Sequence, residues 1–205
     1  MDPREQFSAI YRLEFAFVWA AARRLGVPSP VVEDAVQEVF ITAFRRLDHL
    51  RYEVSPRAWL YAVTRRIASR YRRTASRTAR RVAAVAHAGC ASDDAPQEHL
   101  VAVQQIEALI ARLDPRLRVA FEMAELLGMN GPEIAAELGV PISTVYSRVR
   151  LAREHLAREL APQQLEQGLG AARARDNPPH AAAQRGWLLL LPRLGSGAAG
   201  LAALL

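Results

Sequence analysis

The chain has 205 residues, enough for one ordinary domain or two small ones, and 51% of them are hydrophobic, enough for packed cores. Ala, Leu, Arg and Glu dominate and β-branched runs bounded by turn signals are scarce, which predicts an all-α protein and argues against a sheet. The net charge of +6 rests on 27 basic residues, all Arg, and such a chain attracts polyanions, most commonly nucleic acid.

The first segment, residues 7–73, has dense helical periodicity and is predicted to form one domain. Ser29-Pro30 predicts a helix start, with Ser as the cap and Pro at the first helical position. An apolar stripe at three- and four-residue spacing then indicates a core face, made of Val32, Val36, Val39, Phe40, Ala43, Phe44 and Leu47. The residues predicted to lie away from its centre are Glu33, Asp34, Gln37, Glu38 and Ile41.

A second helix of this segment is expected to begin near Pro56, after a loop over residues 48–55. Its inward residues are predicted to be Trp59, Leu60, Val63, Ile67 and Tyr71. Between Arg57 and Arg81 the chain has nine Arg and no Asp or Glu. The acidic stretch before the loop and this basic helix therefore suggest two partners of opposite charge.

Residues 74–97, rich in Ala, Arg and Ser, are predicted to be a flexible linker. Periodicity resumes over residues 98–160, with one helix expected at 100–113 and a second at 115–127. Asn130 and Glu133 then match a capping box, and Gly139 is a suitable helix terminator. A further helix is predicted after Val140-Pro141, with Val145 and Val149 facing inward.

The two short helices on either side of Gly139 form a candidate helix-turn-helix, whose second helix fits the DNA major groove. Its outward side chains are hydroxyl, aromatic and guanidinium groups, which can bind bases or phosphates. They are Ser143, Thr144, Tyr146, Ser147, Arg148 and Arg150. A helical hairpin with a solvated polar face is the alternative that this pattern alone leaves open.

Two sets of motifs, in this order, resemble the bacterial sigma factors. Asp34-Ala-Val-Gln37-Glu38-Val-Phe40 and Trp59-Leu-Tyr-Ala-Val-Thr-Arg65-Arg66-Ile-Ala68 are similar to sigma region 2. Leu113-Asp-Pro-Arg-Leu-Arg-Val-Ala-Phe121, Glu133-Ile-Ala135 and Leu138-Gly-Val-Pro-Ile-Ser-Thr-Val-Tyr-Ser-Arg148 are similar to region 4. The compact arrangement of only these two regions resembles the extracytoplasmic-function (ECF) group of the sigma-70 family. It implies two small helical domains joined by a linker.

The resemblance also implies roles for residues. In the family, the acidic face of region 2 binds Arg-rich helices of RNA polymerase; the matching positions are Asp34, Gln37 and Glu38, to which we add Ile41. The basic helix matches the part of region 2 that recognises and melts the minus-ten promoter element. We assign to it the residues Arg57, Trp59, Tyr61, Arg65, Arg66, Arg70 and Arg73. The helix-turn-helix side chains named above are expected to recognise the minus-thirty-five element.

The chain departs from the family pattern at three positions. Arg66 and Arg70 stand where relatives commonly carry Asn and Asp, and Tyr146 stands where Lys is frequent. The two arginines add positive charge to the minus-ten surface. The tyrosine replaces a phosphate contact by an apolar or hydroxyl one.

The expected function is therefore that of a sigma factor, which binds core RNA polymerase and promoter DNA as duplex and melted strand. A helix-turn-helix regulator that no longer engages polymerase is the alternative. No nucleophile–base pair or phosphate-binding Gly loop is evident, so an enzyme is not expected. An anti-sigma factor, which in the family masks both domains, is a further partner hypothesis.

Cytoplasmic location, with nucleoid association when active, is expected for such a factor. Cys90 is the only cysteine, so no disulfide can form within the chain. The N-terminal sequence lacks an apolar signal core. His87 and Cys90 have metal-like spacing without a second pair of ligands, so we expect no metal and no cofactor.

Residues 161–205 form a C-terminal extension without a clear amphipathic pattern, and the sequence assigns it no role. One alternative is a membrane anchor, against which Pro192 and Arg193 argue because they interrupt the apolar stretch. A second is a docking segment, for example one that folds back on the two domains. A third is an extension with little order.

Overall fold

The computed structural model describes residues 3–46, 54–83 and 97–193, and the regular structure in these ranges is helical throughout. The all-α prediction is confirmed. The helices are α1 (Pro3–Arg24), α2 (Val32–Arg46), α3 (Pro56–Ala83), α4 (Gln97–Arg112), α5 (Pro115–Phe121), α6 (Gly131–Leu138), α7 (Ile142–Leu156), α8 (Pro162–Asp176) and α9 (Ala182–Leu190). They fall into two compact units, one from residues 1–86 and 177–205 and the other from residues 87–176.

In the first unit, α1, α2 and α3 pack against one another in pairs, and α9 packs on α1 and α2. The predicted apolar stripe of α2 is buried from Val32 to Ala43. Aromatic side chains fill the centre, where the ring of Tyr11 lies 4.6 Å from that of Phe40 and 5.2 Å from that of Phe15. Burial of this stripe leaves the opposite side of α2 accessible.

Two boundaries in this unit differ from the prediction. Ser29 does not cap a helix: residues Ser29–Val31 form a 3-10 turn without a side-chain cap, and α2 begins at Val32. The basic helix α3 continues to Ala83, ten residues into the segment predicted as linker, because Ala and Arg are strong helix formers. Its start is as predicted, and the Ser55 hydroxyl accepts a hydrogen bond from the Ala58 amide at 3.0 Å. Leu47 and most of the predicted loop, residues 48–53, lie outside the described residues.

The second unit is built from α4 to α8 around an apolar cluster that includes Ile106, Phe121, Leu156 and Leu169. The helix predicted at 115–127 is divided, since α5 ends at Phe121 and a π-helical turn, Glu122–Leu126, follows it. Asp114 caps α5 by accepting a hydrogen bond from the Arg116 amide at 2.8 Å. The predicted α4 is present and begins at Gln97.

The C-terminal extension contains two helices that the sequence pattern did not reveal. The first, α8, packs on α4, and a Cβ on Gly168 would lie 3.0 Å from the Ile106 side chain. Arg175 of α8 also bonds Glu107 of α4 at 3.0 Å. The second, α9, belongs to the other unit. Within the described ranges, no helix combines the length and hydropathy needed to cross a bilayer.

Candidate functional site

The accessible side of α2 carries the residues predicted to bind polymerase. Gln37 and Glu38 lie three and four residues after Asp34, and Ile41 lies four and three residues after them, so all four share one face of the helix. Asp34 is exposed and the other three are half-buried. The structure therefore brings all four together on one surface, called here the α2 face.

Arg70 of α3 forms an ion pair with Glu38 of the α2 face. The hydrogen bond to Glu38 is the main cause that raises the pKa of Arg70, so its guanidinium stays charged. The pKa of Tyr71 is also raised, first by burial and then by the charges of Glu38 and Asp34. The Glu38 carboxylate thus contributes to both shifts where α2 meets α3.

The arginines predicted to contact the minus-ten element differ in exposure. Arg65, Arg66 and Arg73 are exposed on α3, and Arg73 donates a hydrogen bond to the Ser69 hydroxyl at 2.8 Å. Arg57 instead bonds Glu14 at 2.8 Å, with its guanidinium 4.8 Å from the centre of the Phe17 ring. Arg57 is therefore held by its own domain.

The two aromatic residues of this set have different environments. Tyr61 is 5% exposed and its ring lies 6.4 Å from that of Phe17, inside the packed bundle. Trp59 is half-buried, which leaves part of the indole accessible. Only Trp59 is thus placed to present an aromatic surface without rearrangement.

A shallow polar cleft on α3 was not singled out from the sequence. It is lined by Ser69, Arg72, Arg73, Ser76 and Arg77. Arg73 and Arg77 lie four residues apart, so one turn of helix separates two guanidinium groups on the same face. Hydroxyl and guanidinium groups at this spacing can bind the phosphates of a nucleic acid strand.

The helix-turn-helix has the predicted local geometry. The Asn130 side chain accepts a hydrogen bond from the Glu133 amide at 3.0 Å, and the Glu133 carboxylate accepts one from the Asn130 amide at 2.9 Å. This reciprocal pair is the capping box of α6. Gly139 ends α6 in the left-handed conformation, with φ of 63°, and α7 follows.

On α7, Val145 is buried as predicted, while Val149 is half-buried. Ser143, Tyr146, Ser147 and Arg150 are exposed, and Thr144 and Arg148 are half-buried. All six predicted residues thus lie on the accessible side of α7.

Two of these exposed side chains have partners on α7 itself. The Ser147 hydroxyl donates a hydrogen bond to the Ser143 carbonyl at 2.9 Å, and Arg150 pairs with Glu154 at 2.6 Å. Arg153, further along α7, bonds both carboxylate oxygens of Glu125 at 2.9 and 2.8 Å. That pair anchors α7 to the π-helical turn.

No cluster of three or more His, Cys, Asp or Glu side chains that could hold a metal ion occurs in residues 3–46, 54–83 and 97–193. His87 and Cys90, with their metal-like spacing, lie outside these ranges.

Comparison with known proteins identifies the family of the chain. The family described as Sigma-70 region 2 matches residues 10–78, and the family described as Sigma-70, region 4 matches residues 103–156. The chain is 33% identical over 147 residues to the ECF RNA polymerase sigma-E factor of Escherichia coli (strain K12), an alignment covering 66% of this chain and 77% of that protein. The chain is an ECF sigma factor.

Other relatives of this chain are also sigma factors. This sigma factor is 31% identical over 147 residues to the RNA polymerase sigma factor CnrH of Cupriavidus metallidurans, covering 67% of this chain and 77% of the relative. It also resembles the solved structure of CnrH in complex with the cytosolic domain of CnrY, with 26% identity and a TM-score of 0.50 over 76% of this chain and 87% of that one. The fold matches that of the Bartonella quintana sigma factor RpoE, solved with the anti-sigma factor NepR, at a TM-score of 0.51, 22% identity, and coverage of 76% and 94%.

Proposed function

We propose that this sigma factor binds core RNA polymerase through the α2 face and directs transcription initiation at promoters, using α3 and α7 to contact two DNA elements. The observation that carries the proposal is the α2 face itself, where an acidic residue, an amide and a second acidic residue share one accessible surface in a family member. An initiation factor of this kind is a binding protein rather than an enzyme. It acts in the cytoplasm, on the nucleoid.

Docking on polymerase is supported by the chemistry of the α2 face. Carboxylates at Asp34 and Glu38 form charge-assisted hydrogen bonds with arginine, and the half-buried Ile41 adds an apolar contact beside them. Complementary charge raises association rates and fixes the orientation of docking. The Arg-rich helices of RNA polymerase, to which region 2 binds in this family, complement the charge of this surface.

Contact with the minus-ten element is supported by the positive charge of α3, a helix whose sequence contains neither Asp nor Glu. Arg65, Arg66 and Arg73 would follow the phosphate backbone of the opened strand, and the accessible part of Trp59 would stack on a base. We leave Tyr61 and Arg57 out of this surface, because the first is buried and the second is paired with Glu14. The cleft arginines, Arg72 and Arg77, take their place.

Contact with the minus-thirty-five element is supported by the exposed side of α7. Its N-terminal turn presents Ser143 and Thr144, and Tyr146 is 60% exposed. An α-helix fits the major groove, where hydroxyl and guanidinium groups bind base edges. Arg148 is the residue proposed for bidentate bonding to guanine or phosphate.

Charge reversal on the α2 face tests the proposal. Asp34→Arg places a cation where polymerase is expected to offer cations, so affinity for core RNA polymerase should fall by at least tenfold, in line with the loss of a charged interfacial pair. The measurement is the dissociation constant of the full chain for purified core enzyme, together with run-off transcription. Glu159→Arg is the matched control, since it makes the same charge change at an exposed residue of the other unit.

Equal affinity of the Asp34→Arg and Glu159→Arg variants would contradict the proposed docking surface. Absence of measurable binding between the unchanged chain and core enzyme would favour the alternative, a helix-turn-helix regulator that does not engage polymerase. The region 2 match and the accessible α2 face do not favour that alternative.

An anti-sigma factor is a second proposed partner. Solved structures that resemble this chain contain CnrH with CnrY and RpoE with NepR. A protein that covers the α2 face or the DNA-binding surfaces would hold this factor inactive. Co-purification of the chain from its native cell tests for such a partner.

A further inference from the structure

Helix α9 occupies a groove between α1 and α2. Its Trp187 is 1% exposed and stacks on Phe7, with ring centres 6.0 Å apart, while the Tyr11 ring lies at 4.9 Å. Leu190, one turn further on, is fully buried. The groove is therefore filled by an apolar face of the chain's own C-terminal extension.

Polar contacts fix the register of α9 in this groove. The Tyr11 hydroxyl donates a hydrogen bond to the Ala183 carbonyl at 2.8 Å, and Nε of Arg185 lies 3.5 Å from a carboxylate oxygen of Glu33. Gly186 permits the close approach, since a Cβ there would lie 2.6 Å from the Tyr11 hydroxyl oxygen. A side chain at position 186 would thus prevent this packing.

The ion pair brings α9 to the edge of the α2 face. Glu33 precedes Asp34 directly and lies one helical turn before Gln37, so it borders the two residues at the start of that face. Arg185 supplies a guanidinium group to the acidic stretch of α2. Polymerase is proposed to supply the same kind of group to the α2 face. Arg185 therefore places positive charge beside the α2 face.

Several features make the packing of α9 only moderately stable. A helix of nine residues is marginal by itself, and α9 begins after Ala181, which has a positive φ of 68° and gives no side-chain cap. The indole N–H of Trp187 is buried without a hydrogen-bond acceptor. On the outer side, Leu188 and Leu189 remain 59% and 54% exposed. A competing partner could displace such a helix.

We propose that α9 is an intramolecular latch: its packing between α1 and α2 competes with core RNA polymerase for the α2 face, so that the factor docks fully only when α9 is released. This inference rests on the proposed function, because it concerns the same face. Release of α9 raises the fraction of molecules competent to dock, and apparent affinity rises in proportion.

Gly186→Val tests the latch in the full chain. The added side chain meets Tyr11, whose ring cannot move aside because it is buried among Phe7, Phe15 and Phe40, so α9 should leave the groove. Gln184→Val is the matched control, since it adds the same β-branched residue to the exposed side of α9. Neither change touches the α2 face.

Two measurements are needed. Hydrogen exchange of the α9 amides should be about tenfold faster in Gly186→Val than in Gln184→Val, with α1 and α2 protected in both. The dissociation constant for core RNA polymerase should then fall about tenfold in Gly186→Val and stay unchanged in Gln184→Val, as expected if roughly a tenth of the molecules are unlatched in the unchanged chain. Arg185→Glu, a surface change that leaves the apolar packing intact, should give a smaller change in the same direction.

The outcomes separate the latch from the proposed function. If the variant with released α9 binds polymerase no more tightly than the unchanged chain, or binds it more weakly, the latch is overturned and the sigma function stands. If no variant binds core polymerase, the proposed function fails as well. If Gly186→Val exposes α1 and α2 to exchange, α9 is an integral part of the domain, which also overturns the latch.

Discussion

Arg70 and Glu38 link the two proposed surfaces of region 2, since one residue belongs to the DNA-binding helix and the other to the α2 face. Their side chains are 53% and 33% exposed, so the pair contributes about 0–1 kcal/mol to stability. A polymerase arginine bound to Glu38 would release Arg70 towards DNA. Under the proposed function, the pair would therefore affect the order of binding more than it affects folding.

The capping box gives a prediction at the same scale. Asn130→Ala removes the side-chain oxygen that accepts a hydrogen bond from the Glu133 amide. The free energy of opening of α6 should therefore fall by about 1 kcal/mol. Native-state hydrogen exchange of the α6 amides measures it. Asn130→Ser keeps a capping oxygen and should cost only a few tenths of a kcal/mol. An equal loss in both variants would show that the cap is not what stabilises this helix end.

Among the helices, the turn between α6 and α7 determines how the recognition helix is presented. Gly139 has φ of 63°, a conformation that a residue with a Cβ adopts only with strain. Val145 is buried on the inner side of α7, and Arg153 holds the same helix to Glu125. These two contacts hold α7 in position, and they thereby fix the orientation of its exposed side chains.

Two glycines of the second unit should respond in opposite directions to replacement by alanine. Gly139→Ala forces a Cβ into the left-handed region and should destabilise the unit by about 1 kcal/mol. Gly170, within α8, has open space around its Cβ position, so Gly170→Ala should stabilise by about 0.4–1 kcal/mol.

Thermal unfolding followed by circular dichroism measures both changes. Trp19, Trp59 and Trp187 all lie in the first unit, so tryptophan fluorescence provides an internal reference that should not move. Shifts of the same sign for the two variants would contradict the assigned backbone conformations.

For the whole molecule, the two units carry separate proposed DNA-binding surfaces, and all 27 basic residues are arginines. Arginine stays protonated at all physiological pH values, so these surfaces keep their charge. Each unit alone should bind DNA weakly, and docking of both on polymerase raises the effective concentration of the second contact.

The free factor is therefore expected to bind promoter duplex weakly and with little preference for sequence, and its affinity should fall steeply with salt. Addition of core RNA polymerase should produce tight, promoter-specific binding. Fluorescence anisotropy with promoter and scrambled duplexes at two salt concentrations measures both effects. Arg66→Gln together with Arg73→Gln should lower the salt slope by about one for each phosphate that is no longer neutralised. Tight, site-specific binding by the isolated chain would contradict this view.

Short-range sequence patterns predicted much of this structure. The apolar stripe of α2, the capping box of α6 and the terminating Gly139 each depend on residues within one or two helical turns, and all three are present. The two sets of motifs could indicate the family because each motif is also a short run of neighbouring residues. Local hydrogen bonds and helical periodicity are properties that neighbouring residues specify together.

Long-range packing explains what the sequence pattern missed. Tyr61 is buried because Phe17, from a distant part of the chain, lies beside it, and Arg57 is held by Glu14. The amphipathic character of α9 was hidden because Trp187 and Leu190 find their apolar surroundings on α1 and α2, while Leu188 and Leu189 remain exposed. Burial depends on which side chains from distant parts of the chain come into contact. Helical periodicity does not predict those contacts, because it reflects only the spacing of neighbouring residues.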